Sequence, residues 1–83
     1  MITLENNDTQ TLNWYIMGKY DCDINNAVAS GTLVGGGSTT YTTNNSHTVV
    51  WAFGTDFAAG GVCGSGATVT FNNDPNGAWC QVS

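Results

Sequence analysis

The chain has 83 residues, with one Lys, no Arg, six acidic residues and a formal net charge of −5. An ordinary globular domain is about one-quarter charged, whereas here the charged fraction is 8% and polarity comes from Thr, Asn, Gly and Ser. A single cation gives little to hold a phosphate backbone or an anionic lipid surface, so nucleic acid is not expected as a partner and anionic membrane surfaces are poor candidates. No run approaches the roughly 20 apolar residues that span a bilayer, so no membrane insertion is expected.

Met1 runs directly into Ile-Thr-Leu-Glu, without a basic start or a long apolar segment. The sequence is expected either to follow a removed leader or to be cut from a longer chain. Low charge with abundant Thr and Asn points to a secreted or cell-surface protein. A chain this short forms one domain, expected over residues 1–83, whose apolar burial barely offsets the entropy of ordering it. A staple is therefore expected, from a disulfide, a metal or association with a neighbour.

Residues 2–5 read as a first strand, with Ile2 and Leu4 on one face and Asn6, Asn7 and Asp8 ending it. Residues 11–20 predict a long amphipathic strand. Leu12, Trp14, Ile16 and Tyr20 share one side, Asn13, Tyr15, Met17 and Lys19 the other, and Gly18 is a bend point. A polar loop over residues 21–26 leads into a strand over 28–34. Three glycines at 35–37 then turn the chain into a hairpin arm over 38–43, whose Thr-rich, barely apolar sequence predicts an exposed edge strand.

Residues 47–57 hold the densest apolar run, His-Thr-Val-Val-Trp-Ala-Phe-Gly-Thr-Asp-Phe. In strand geometry Val49, Trp51 and Phe53 point one way and Val50 and Ala52 the other. A strand apolar on both faces belongs in the middle of a sheet, and Trp51 is assigned to the core. One helical turn is expected over 55–60, with Thr55 as cap and glycine as stop. A glycine-rich connection over 61–66 carries Cys63. Residues 67–71 alternate, with Ala67, Val69 and Phe71 inward. Asn-Asn-Asp-Pro-Asn-Gly over 72–77 is a tight turn, and residues 78–82 close the chain as a strand. The sum is an all-β fold, a small antiparallel sandwich or compact barrel of about seven short strands.

The chain has three cysteines, Cys22, Cys63 and Cys80. One pair and one leftover thiol are expected in an oxidising compartment. The expected pair is Cys22 with Cys63, both in loops, leaving Cys80 as a buried thiol in the last strand. Zinc on these cysteines and His47 would lack the usual C-x-x-C spacing. Asp21, Asp23 and Asn25 alternate as oxygen ligands do at the start of many calcium loops, but no Gly stands at the sixth position and no Glu at the twelfth. An Asx turn explains them without an ion, and calcium is the alternative. No other cofactor is expected.

His47 is the only histidine, and Gly64-Ser65-Gly66 does not have the spacing of a nucleophile elbow. No catalytic residue is assigned, and the chain is expected not to be an enzyme. Lys19 could be joined to an Asn by an isopeptide bond, although a lysine with its amine in water is the plainer reading. Aromatic residues carry the binding hint. Tyr15 and Tyr41 share faces with Thr and Asn, and an aromatic beside amides is what stacking on a sugar requires. Tyr15, Tyr41, Trp79 and Asn13 are the candidate ligand residues.

The first expectation is thus a non-catalytic extracellular module that binds carbohydrate or protein through exposed aromatics and Asx-rich loops. A structural subunit that pairs its edge strands with copies of itself into a fibre is the alternative. A small secreted inhibitor or toxin using the 60–66 loop is the third.

Overall fold

A computed structural model describes residues 1–18, 21 and 23–83. The described residues form eight strands: β1 (Ile2–Asn6), β2 (Leu12–Met17), β3 (Ala27–Leu33), β4 (Ser38–Tyr41), β5 (Thr48–Gly54), β6 (Phe57–Cys63), β7 (Thr68–Asp74) and β8 (Gly77–Val82). They make two four-stranded sheets, ordered β4-β1-β7-β8 and β3-β2-β5-β6. The expected all-β sandwich is therefore present, with one more strand than expected and one parallel pair, β1 with β7.

The extra strand is β6. The residues read as a helical turn are instead a hairpin, in which β5 pairs antiparallel with β6 from Thr48 opposite Cys63 to Gly54 opposite Phe57. Thr55 and Asp56 make the turn, and Asp56 takes φ 54°, a left-handed conformation that Asp tolerates better than most residues. The Phe-Ala-Ala-Gly-Gly-Val-Cys run has weak strand preference of its own. It is drafted as a strand because its small residues fit between bulky neighbours on both faces. Most of the stretch read as a glycine loop is thus also strand, through Cys63.

The chain passes between sheets where a hairpin was expected. β3 and β4 flank the glycine turn at 35–37 but belong to different sheets. A side chain at Gly35 would overlap the Thr9 backbone, which is packed against this crossing. β4 does sit at a sheet edge, as its composition predicts, paired only with β1.

Ile2 and Leu4 of β1, Val69 and Phe71 of β7, Leu12 and Ile16 of β2, and Val50 and Ala52 of β5 fill the space between the sheets. Phe57 and Phe71 meet edge to face across it, with centroids 6.4 Å apart. Trp14 packs against this core from the inner face of β2, over Gly31 of β3, where a Cβ would lie 2.8 Å from Cζ2 of its ring.

Among the described residues, Asn6 is a buried side-chain amide whose nitrogen and oxygen are both hydrogen-bonded. Its Nδ2 donates to the carbonyls of Gln10 (2.8 Å) and Leu33 (2.9 Å), and its Oδ1 accepts from the Asp8 N–H (2.9 Å). Through Leu33 it ties β1 of one sheet to β3 of the other. Thr48, also buried, donates its hydroxyl to the Met17 carbonyl, beside the register shift between Ile16 and Met17.

Candidate functional site

The two sheets differ on their outer faces. On the β4-β1-β7-β8 sheet, residues of the two central strands that alternate with the core are polar: Thr3 and Glu5 on β1, Thr68, Thr70 and Asn72 on β7. On the β3-β2-β5-β6 sheet, the outer face is apolar and aromatic. Register places Thr32, Asn13, Phe53 and Ala58 in one row across it, and Ser30, Tyr15, Trp51 and Gly60 in the next. Not one of these residues is charged.

Trp51 is therefore not a core residue, and the expectation that placed it there is corrected. Val50 and Ala52 face the interior and are fully buried, while Trp51 and Phe53 are half-buried on the outside. The reason lies in β2, whose Leu12, Trp14 and Ile16 take the inner face. Pairing of Trp14 with Ala52 and Ile16 with Val50 then fixes which side of β5 turns inward. Large rings on both inner strands would overfill the gap between the sheets.

The outer rings form one platform. Trp51 and Phe53 are nearly parallel, at 19° with centroids 6.1 Å apart, and Tyr15 meets Phe53 edge-on at 5.9 Å and 63°. Gly60, opposite Trp51, lets the indole lie down on β6, since a Cβ at Gly60 would overlap Cε3, Cζ3 and Cδ2 of the ring. The ring is half-buried there, and its Nε1 is buried without a hydrogen-bond partner. The platform is bordered by exposed amide and hydroxyl groups of Asn13, Ser30 and Thr32.

Of the four candidate ligand residues, the structure brings Asn13 and Tyr15 together on this face and separates the other two. Tyr41, on β4 opposite Ile2, is half-buried and packs against the core. Its exposure was misjudged because strand parity alone does not say which face of an edge strand is covered. Trp79 is 45% exposed, but on the other sheet, opposite Asn72, where its indole N–H donates to Asp74 Oδ2 at 2.9 Å. Sequence reasoning missed Trp51 and Phe53. The small residues of β6 alone do not tell the two faces apart, since Ala59 and Gly61 inside are as small as Ala58 and Gly60 outside.

The acidic loop is occupied by its own backbone. Asp21 Oδ1 accepts from the Asp23 N–H (2.9 Å), Asp23 Oδ1 from the Asn25 N–H (3.0 Å), and Asp21 Oδ2 from Asn26 Nδ2 (2.9 Å). These bonds build a single 3₁₀ turn, Ile24–Asn26, capped by Asp23. This is the Asx-turn geometry expected from the sequence. A cavity of about 410 Å³ next to it is lined by Gly18, Asp21, Asn26 and Val28. Among the described residues, no three His, Cys, Asp or Glu side chains gather as metal ligands do.

Cys63 is a buried free thiol on β6, and Cys80 a half-buried one on β8. Cys22, expected to pair with Cys63, lies outside the described residues, as do Lys19 and Tyr20. Compared with family models, curated proteins and solved structures, the chain shows no match to any of the three.

Proposed function

We propose that the chain is a non-catalytic binding module, acting outside the cell, that takes a neutral saccharide on the outer face of the β3-β2-β5-β6 sheet. The observation that carries this reading is the Trp51 ring laid flat on Gly60 and continued by Phe53 and Tyr15, on a face without charge. A pyranose presents C–H bonds on its flat side and hydroxyls around its rim. The C–H side suits the electron-rich face of an indole, and the rim suits the Asn13 amide and the Ser30 and Thr32 hydroxyls beside it. Rigid rings lose little entropy on binding, which favours affinity from a small area.

The test is titration with neutral oligosaccharides of glucose, xylose and N-acetylglucosamine, followed by calorimetry. Saturable binding that Trp51→Ala abolishes and Trp79→Ala leaves intact supports the reading. Binding that depends on Trp79 instead, or no binding to any of the three, overturns it.

A second reading rests on a different observation. β3 lies at a sheet edge, is seven residues long, and contains neither charge nor proline. Such an edge is a template for another strand. Copies of the chain pairing along β3 would form a filament, and light scattering across a wide concentration range would show mass rising with concentration in the absence of any sugar.

A further inference from the structure

β6 and β8 are the edge strands of different sheets, on the same side of the sandwich, and they pack on each other. Their inner faces carry the two described thiols. Gly61 allows the close approach: a Cβ there would lie 3.0 Å from Cys80 Sγ and 3.3 Å from Val82 Cγ2. Cys63 stands two residues beyond Gly61 on the same face of β6, opposite buried Thr48. Cys80, opposite buried Phe71, thus points from one sheet onto the strip of the other that ends in Cys63.

We propose that Cys63 and Cys80 close into an inter-sheet disulfide in an oxidising compartment. It would join the two sheets along the flank where Gly61 of β6 leaves room for the Cys80 thiol of β8. It is also the staple that so small and weakly charged a chain is expected to need.

With glutathione disulfide as oxidant, the Cys80 thiolate attacks one glutathione sulfur, forming a mixed disulfide and releasing glutathione thiolate. The Cys63 thiolate then attacks Cys80 Sγ, closing the protein bond and releasing the second glutathione. Two protein thiols are oxidised, one glutathione disulfide is reduced, and the two thiol protons pass to the departing glutathiones through solvent. The order follows from environment. Burial raises both thiols, and the charge of either one beside the other opposes ionisation of the second, so the half-buried Cys80, the more accessible of the two, is the thiol that meets glutathione first. Closure accelerates as pH rises, because the thiolate is the attacking species.

The experiment uses the native chain, equilibrated with glutathione disulfide, digested without reduction and mapped by mass spectrometry. A peptide pair joined through Cys63 and Cys80 is the expected result. A bond from Cys22 to either of them as the principal product overturns the proposal. A Cys22→Ser variant removes that competition. On oxidation it should lose both titratable thiols and two hydrogens of intact mass, with its thermal midpoint rising roughly 10–20 °C over the reduced form. A folded C22S protein that keeps two free thiols, or stops at a stable glutathione adduct, overturns the proposal as well.

Discussion

Trp51 lies on Gly60 of the neighbouring strand, with no room for a Cβ between ring and backbone. The pair explains why a glycine stands in the middle of β6, where it costs strand stability. A methyl at Gly60 must push the indole off the sheet and break its near-parallel arrangement with Phe53. Gly60→Ala should therefore cost about 1–3 kcal/mol in urea unfolding, as overpacked sites do. It should also shift tryptophan emission to longer wavelength and weaken any sugar binding. An unchanged emission spectrum together with unchanged stability would show that the ring does not rest there.

The same pair shows how far the sequence could be read. Alternation located β1, β2 and β7, through pairs such as Ile2 and Leu4 or Val69 and Phe71, while β5 was marked by its dense apolar run and β8 by the turn before it. β6 escaped because Ala58, Ala59, Gly60 and Gly61 have no pattern of their own; their strand is set by partners far away, Trp51 outside and Cys80 inside. Half of the candidate site was legible for a related reason. Asn13 and Tyr15 follow from amphipathicity within β2, whereas Trp51 needed the knowledge that Trp14 and Ile16 already occupy the inner face. Parity assigns residues to two faces but does not say which face is inside.

Asn6 ties the two sheets together without a covalent bond, at the end of the sandwich toward the hairpin turn of β7 and β8. Its three hydrogen bonds run to Gln10, Leu33 and Asp8, and its side chain is buried. Asn6→Ala strands the Leu33 carbonyl without its donor in a place water reaches poorly. A loss of about 2–4 kcal/mol is expected, more than the net worth of an average hydrogen bond, because unsatisfied groups carry their full desolvation cost. Urea unfolding of the variant against wild type measures it. A loss under about 1 kcal/mol would mean that water takes over the Asn6 contacts.

Asp8 gives the fold a specific response to acid. Its carboxylate accepts from Gln10 Nε2 (2.7 Å), the Thr9 N–H (2.8 Å) and Asn73 Nδ2 (3.3 Å). The Gln10 bond, then the Thr9 N–H, hold it below its ordinary value of 3.8. A carboxylate lowered on folding contributes stability that is present above its unfolded value and lost as pH falls through the folded one. Asp8→Asn should therefore lower the urea midpoint at pH 7, and the gap from wild type should narrow as pH drops below about 4. A gap independent of pH would remove Asp8 from the acid response.

Val28 tests the exposed edge at a residue two places from Ser30 on the same face of β3, outside the three rings themselves. It is 57% exposed on β3, an edge strand whose seven residues lack any charge. Val28→Lys places an ammonium on that edge and removes apolar area at once, and burying the charge between paired strands would be costly. If copies associate along β3, the variant should remain monomeric at concentrations where the wild-type mass grows. Its sugar binding should weaken little, because Val28 lies on the outer face beyond Ser30 and is not one of the rings Trp51, Phe53 and Tyr15. Growth of mass that V28K leaves unchanged would move the association elsewhere, with the uncharged β8 edge the next to be substituted. Loss of sugar binding in a folded V28K protein would instead extend the platform beyond its three rings toward the Gly18 end of the sheet.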